Sequence, residues 1–69
     1  MNPEILQARY NALRAAAAAC PQRTATERIG TRTFTIELVG KSSKHYISGF
    51  KTNRAQFFDT LEKELEVRA

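Results

Sequence analysis

From Pro3 to Ala19 the apolar positions follow a helical period. Leu6, Tyr10, Leu13, Ala17 and Cys20 recur every three or four residues, and Ile5, Ala12 and Ala16 widen the stripe. Asn2 suits the N-cap, Pro3 the first helical position, and Glu4 the positive end of the helix dipole. The alanine run at 15–19 favours helix because alanine gives up no side-chain entropy. It also offers a smooth surface that a second backbone can approach closely. Pro21 ends the element, so the pattern predicts a helix over residues 3–19.

The period then changes to two. In TFTIELV, 33–39, Phe34, Ile36 and Leu38 alternate with Thr33, Thr35 and Glu37, as in a strand with one buried face. GKSS turns the chain, and KHYISGF returns as a second strand. With a two- or four-residue turn, Ile47 shares the face of Phe34, Ile36 and Leu38. Tyr46 and Phe50 then share the opposite face with Thr33, Thr35 and Val39, about 13 Å apart along one strand. A three-residue turn exchanges the two sets. Upstream, Thr24, Thr26 and Arg28 alternate with Ala25, Glu27 and Ile29, which leaves room for an extra strand between 25 and 29.

The last segment is helical again. Asn53 and Gln56 stand in capping-box positions, and Phe57, Phe58, Leu61 and Leu65 form a stripe extended by Ala55 and Val67. Asp59 with Lys63, and Glu64 with Arg68, are four apart and suit ion pairs. The expected fold is α+β: an N-terminal helix, an antiparallel β-hairpin with room for three strands, and a C-terminal helix. It forms a single domain over 1–69, with both helices on one face of the sheet.

Length and composition sharpen this picture. A chain of 69 residues buries only about 60% of its unfolded surface, so its core is thin. Cys20 is the only cysteine, which excludes an intrachain disulfide and a thiolate zinc cluster. Packing against a partner subunit is the expected remedy. No apolar run approaches the roughly 20 residues that span a bilayer, and MNPEILQARY has no secretory-signal pattern. A lone free thiol suits a reducing compartment, so a soluble cytoplasmic protein is expected.

The net charge of +4 is uneven: residues 37–54 carry +3 and residues 55–69 carry −2. A positive middle favours an anionic partner for that middle. Lys41, Lys44, Lys51 and Arg54 supply the charge, with Tyr46 and Phe50 between them. Together the six are candidates for contact with a protein or a nucleic acid, because cations meet phosphates while sheet aromatics stack on bases. Arg23, Arg28 and Arg32 broaden the belt, interrupted by Glu27. Leu6, Tyr10, Leu13, Ala16 and Ala17 are candidates for helix self-association.

Other motifs carry less. GKSS has the end of a phosphate-binding loop, but Thr35 stands where the opening glycine belongs, and the segment joins two strands rather than a strand and a helix. His45 with Ser43 or Ser48 lacks the orienting third group of a triad. Glu62 and Glu66 read as a solvated helix face, and Cys20 as a small buried hydrophobe. No catalytic residue, cofactor, metal or small-molecule substrate is expected, and no membrane contact.

The helix ILQARYNALRAAAA, the strand IGTRTFTIEL and the closing LEKELE resemble the small head–tail joining proteins of tailed phages. That family has an α-β-β-α plan and serves as a ring component that closes and connects the filled head. The resemblance implies a non-enzymatic protein acting by assembly, located in the host cytoplasm or the virion. The stretch from Lys41 to Asn53 departs from the family plan, standing where its second helix would begin. The leading expectation is therefore a protein-interaction module, self-associating or docking on a larger protein. The alternative is a nucleic-acid-binding module using residues 40–54.

Overall fold

Three two-residue turns, rather than one, shape the middle of the chain. In the computed structural model, which describes residues 3–68 and side chains as far as Glu66, the order is α1 (Pro3–Ala19), β1 (Thr24–Ile29), β2 (Arg32–Val39), β3 (Ser42–Ile47), β4 (Phe50–Thr52) and α2 (Arg54–Arg68). The capping role expected of Asn2 and the side chains of Val67 and Arg68 lie outside the described residues. The strands form one antiparallel meander in the order β1-β2-β3-β4. The chain is thus an α+β domain, as expected. The room left for an extra strand is filled by β1, and β4 is a further addition.

The turn at Val39↔Ser42 has two residues, and Phe34 lies opposite Ile47, so the expected register of the central hairpin holds. The expected second strand, 44–50, does not run through. Ser48 and Gly49 both take positive φ, 52° and 85°, and reverse the chain between Ile47 and its partner Phe50. Two left-handed residues make the turn whose twist matches a hairpin. Phe50 therefore lies directly across from Ile47, while Tyr46 faces Lys51. Directly opposed residues share a face, so Tyr46 and Phe50 lie on opposite faces of the sheet. Their expected common face is overturned.

Both helices cover one side. Tyr10 and Leu13 of α1 and Phe57 and Leu61 of α2 close over Ile29, Phe34, Ile36 and Ile47, with Leu6, Ala25, Leu38, Phe58 and Leu65 at the margin. Full burial of a side chain such as Phe34 or Phe57 is worth about 2–3 kcal/mol. Their rings meet edge to face at 5.4 Å, the arrangement that aromatic quadrupoles favour. The α1 stripe is narrower than its sequence suggests, since Ile5, Ala12 and Ala16 are exposed. On α2, Ala55 is exposed too.

The ends of α2 are tied as the sequence predicts at one end and differently at the other. The Gln56 backbone N–H donates to Asn53 Oδ1 at 2.7 Å, and Asn53 N–H to Gln56 Oε1 at 3.5 Å, a complete capping box. Lys63 and Asp59 pair at 3.2 Å. Glu64 reaches the first turn of the sheet, where its Oε1 accepts from Arg32 Nε at 3.1 Å and from Thr31 Oγ1 at 3.4 Å. Gly30, with φ 65°, lies under that carboxylate, and a Cβ there would collide with it.

Candidate interaction surface

Alternation along each strand sorts the sheet into two faces. One carries the core and lies under the helices. The other carries Thr24, Thr26 and Arg28 of β1, Thr33, Thr35, Glu37 and Val39 of β2, Ser42, Lys44 and Tyr46 of β3, and Lys51 of β4. Neither helix covers this second face. A row runs across all four strands through Thr26, Thr35, Tyr46 and Lys51, with the Thr26 and Thr35 hydroxyls 3.0 Å apart.

Tyr46 is half-buried here, with Lys51 opposite it and Lys44 two residues along its own strand. Arg28 adds a third cation from β1, and Glu37, opposite Lys44, is the one carboxylate. Among the described residues, Arg28, Lys44 and Lys51 make no ion pair, whereas Arg9 pairs with Glu27, Arg32 with Glu64 and Lys63 with Asp59. The uncovered face thus carries three cations free of ion pairs among the described residues, and the paired cations lie elsewhere.

The six residues nominated for partner contact are divided by the fold. Lys44, Tyr46 and Lys51 share the uncovered face. Lys41 sits in the β2–β3 turn, and with Arg14 and Arg23 it borders an open groove of about 510 Å³ between that turn and α1, with no acidic residue in its lining. Arg23 is held there in the left-handed region (φ 59°), its guanidinium donating to the Ala18 carbonyl at 3.2 Å. Phe50 lies on the helix side, 76% exposed, beside a second groove with Gln56, Asp59 and Thr60 of α2. Arg54 folds back on the core, its guanidinium 5.3 Å from the Tyr10 ring centroid and 5.4 Å from that of Phe58. Such cation–π contacts keep it away from the positive face.

The stripe nominated for self-association is mostly inside the molecule. Tyr10, Leu13 and Ala17 are buried and Leu6 packs against the core, leaving Ala16 exposed. Its apolar face serves the chain's own sheet because the sheet offers a complementary apolar face at no cost in translational entropy. Cys20 is half-buried, with Sγ 3.5 Å from Gln22 Oε1.

His45 is the polar residue whose environment the linear sequence conceals. It pairs with Ile36 on the core face and is 5% exposed. Its Nε2 lies 2.9 Å from the Tyr10 hydroxyl, and its ring stacks on Tyr10 and tilts against Phe57. Burial pushes its pKa down from 6.5, and the charges of Arg54 and Arg14 push it further in the same direction. The imidazole is therefore neutral at physiological pH and joins α1 to β3. The one sequence signal was its position in register with Ile36 and Ile47.

No group of three or more His, Cys, Asp or Glu side chains able to hold a metal occurs among the described residues. No helix among them is long and apolar enough to cross a membrane. In comparison with known proteins, the sequence matches no protein-family model, and neither a curated protein nor a solved structure matches it.

Proposed function

We propose that this chain is a non-enzymatic interaction module that docks by its uncovered sheet face onto an acidic surface of a larger protein. The observation that carries this reading is the grouping of Lys44, Tyr46 and Lys51, with Arg28, on a face no helix covers and with no ion pair among the described residues. Tyrosine supplies rigid contact area at small entropic cost, and unpaired cations steer an acidic partner to it. The resemblance to head–tail joining proteins supports a role in assembly, in the virion or the host cytoplasm.

A photo-crosslinking residue at position 46 in the native host tests this. A discrete protein adduct is expected there, absent with the same residue at Lys63 on α2 and lost when Lys44 and Lys51 are both changed to Glu. Adducts identical at 46 and 63 would remove the docking reading.

The groove lined by Arg14, Arg23 and Lys41 favours a second reading, in which the positive path continues around the β2–β3 turn and follows a nucleic-acid backbone. Such binding weakens steeply with salt, because each neutralised phosphate releases counterions. Titration with duplex and single-stranded oligonucleotides at two salt concentrations decides it. No binding at low salt eliminates it.

A further inference from the structure

The sheet has two edges of unlike character. The β4 edge is three residues long and carries Lys51. The β1 edge is six residues long, has no proline or lysine, and has a neighbouring strand on one side only. Exposed edges of that kind are templates for another strand unless charge, proline or a covering segment blunts them. The two charged residues of β1 lie on opposite faces: Glu27 is on the helix side, where Arg9 neutralises it at 3.6 Å, and Arg28 is on the uncovered face.

The hydrogen-bond phase of the edge follows from one bond at its start. Leu38 N–H donates to the Arg23 carbonyl at 2.8 Å, which makes Arg23 and Leu38 a hydrogen-bonded pair. Alternation then gives the β2 ladder the N–H and C=O groups of Ala25, Glu27 and Ile29, opposite Ile36, Phe34 and Arg32. Those of Thr24, Thr26 and Arg28 point outward. The bond from Ser48 N–H to the Thr33 carbonyl at 2.8 Å agrees, since it aims Thr33 at β3 and away from Arg28.

We infer that the β1 edge binds a second copy of this chain, strand to strand and antiparallel, with Thr26 on the two-fold axis. Opposed residues must share a face, which restricts the symmetric registers to those centred on a residue. Centring on Glu27 sets two carboxylates against each other. Centring on Thr26 sets Thr26 against Thr26 and Thr24 against Arg28, the three residues whose backbone groups point outward. Glu27 then lies across from Ala25. Up to about six backbone hydrogen bonds close the junction.

The helix above the edge leaves room for its copy. α1 packs over β1 and β2, and strands are about 4.8 Å apart, so two-fold pairing at the edge puts the two α1 axes about 10 Å apart. Packed helices are separated by 8–10 Å, the lower values needing small side chains. Ala12 and Ala16 supply them, lining with Leu13, Ala25, Thr26 and Glu27 a groove of about 260 Å³ between α1 and the edge. The product is an eight-stranded sheet with the basic faces of both copies on one side. The inference extends the docking reading without depending on it, since a monomer could dock and a dimer could fail to.

Two variants test it in the full chain. Thr26→Pro removes an N–H that points outward, so the internal ladder is unaffected; proline is tolerated at such edge positions. Sedimentation should show a dimer for the parent and at least a tenfold weaker one for T26P, with unchanged circular dichroism. In a Cys20→Ala background, Thr26→Cys should couple readily to a dimer with a short bifunctional thiol reagent, because a hydrogen-bonded antiparallel pair has Cα atoms about 5.5 Å apart. Lys63→Cys is the control. Dimerisation should hold or strengthen with salt, since the copies carry like charge. A parent chain monomeric at every concentration, or T26C coupling no faster than K63C, overturns the inference even if T26P fails to fold.

Discussion

The most exacting residue in the molecule is His45. Its folded pKa lies below its unfolded value, so protonation is easier in the unfolded chain. Stability is therefore fully present above about pH 6.5 and is lost as pH falls from there toward the folded pKa. Urea unfolding between pH 7.5 and pH 5 should show this decline, and His45→Phe should flatten it. Removing the Arg54 charge with Arg54→Ala should move the His45 pKa back toward 6.5, read by NMR titration of the ring protons. Tyr10→Phe leaves a buried imidazole nitrogen without its partner and should cost about 1–3 kcal/mol. Ser48 is strained in a different way. A non-glycine residue in the left-handed region costs about 1–2 kcal/mol, so Ser48→Gly should raise the urea midpoint.

At the scale of elements, local chemistry and long-range packing separate cleanly. The α2 start is local: the capping box holds two backbone donors, and Asn53→Ala should cost about 1 kcal/mol in a denaturant titration. The β1–β2 turn is not local. Gly30→Ala meets both a positive φ and the Glu64 carboxylate, so it should destabilise by more than the ~1–2 kcal/mol of backbone strain alone. Pairing it with Glu64→Ala should recover the excess and leave the strain. The turn thereby reports, through one side chain, on whether α2 is seated.

For the whole molecule, the separation of charge matters most. α2 carries Asp59, Glu62, Glu64 and Glu66, while unpaired cations lie on the uncovered face and around the α1 groove. If that face meets a polyanion, Lys44→Ala and Lys51→Ala should each lower the salt slope of binding by about one. Phe50→Ala, on the opposite side, should leave it unchanged. The proposed β1 pairing would bring two such faces into one plane and double the area a partner meets.

Both helices, the central hairpin and its register were legible along the chain because each depends on period and on neighbours. Apolar residues at helical spacing bury one stripe, and alternation with a two- or four-residue turn leaves one consistent pairing. The second hairpin was half-legible: Ser48–Gly49 carried the turn signal, but the apolar residues on either side read equally well as one strand. That Phe50 leaves the face of Tyr46, and what becomes of Arg54 and His45, were decided only by tertiary structure. The first depends on a reversal that moves a side chain across the sheet and the others on residues more than thirty positions apart in sequence, and no local period encodes either.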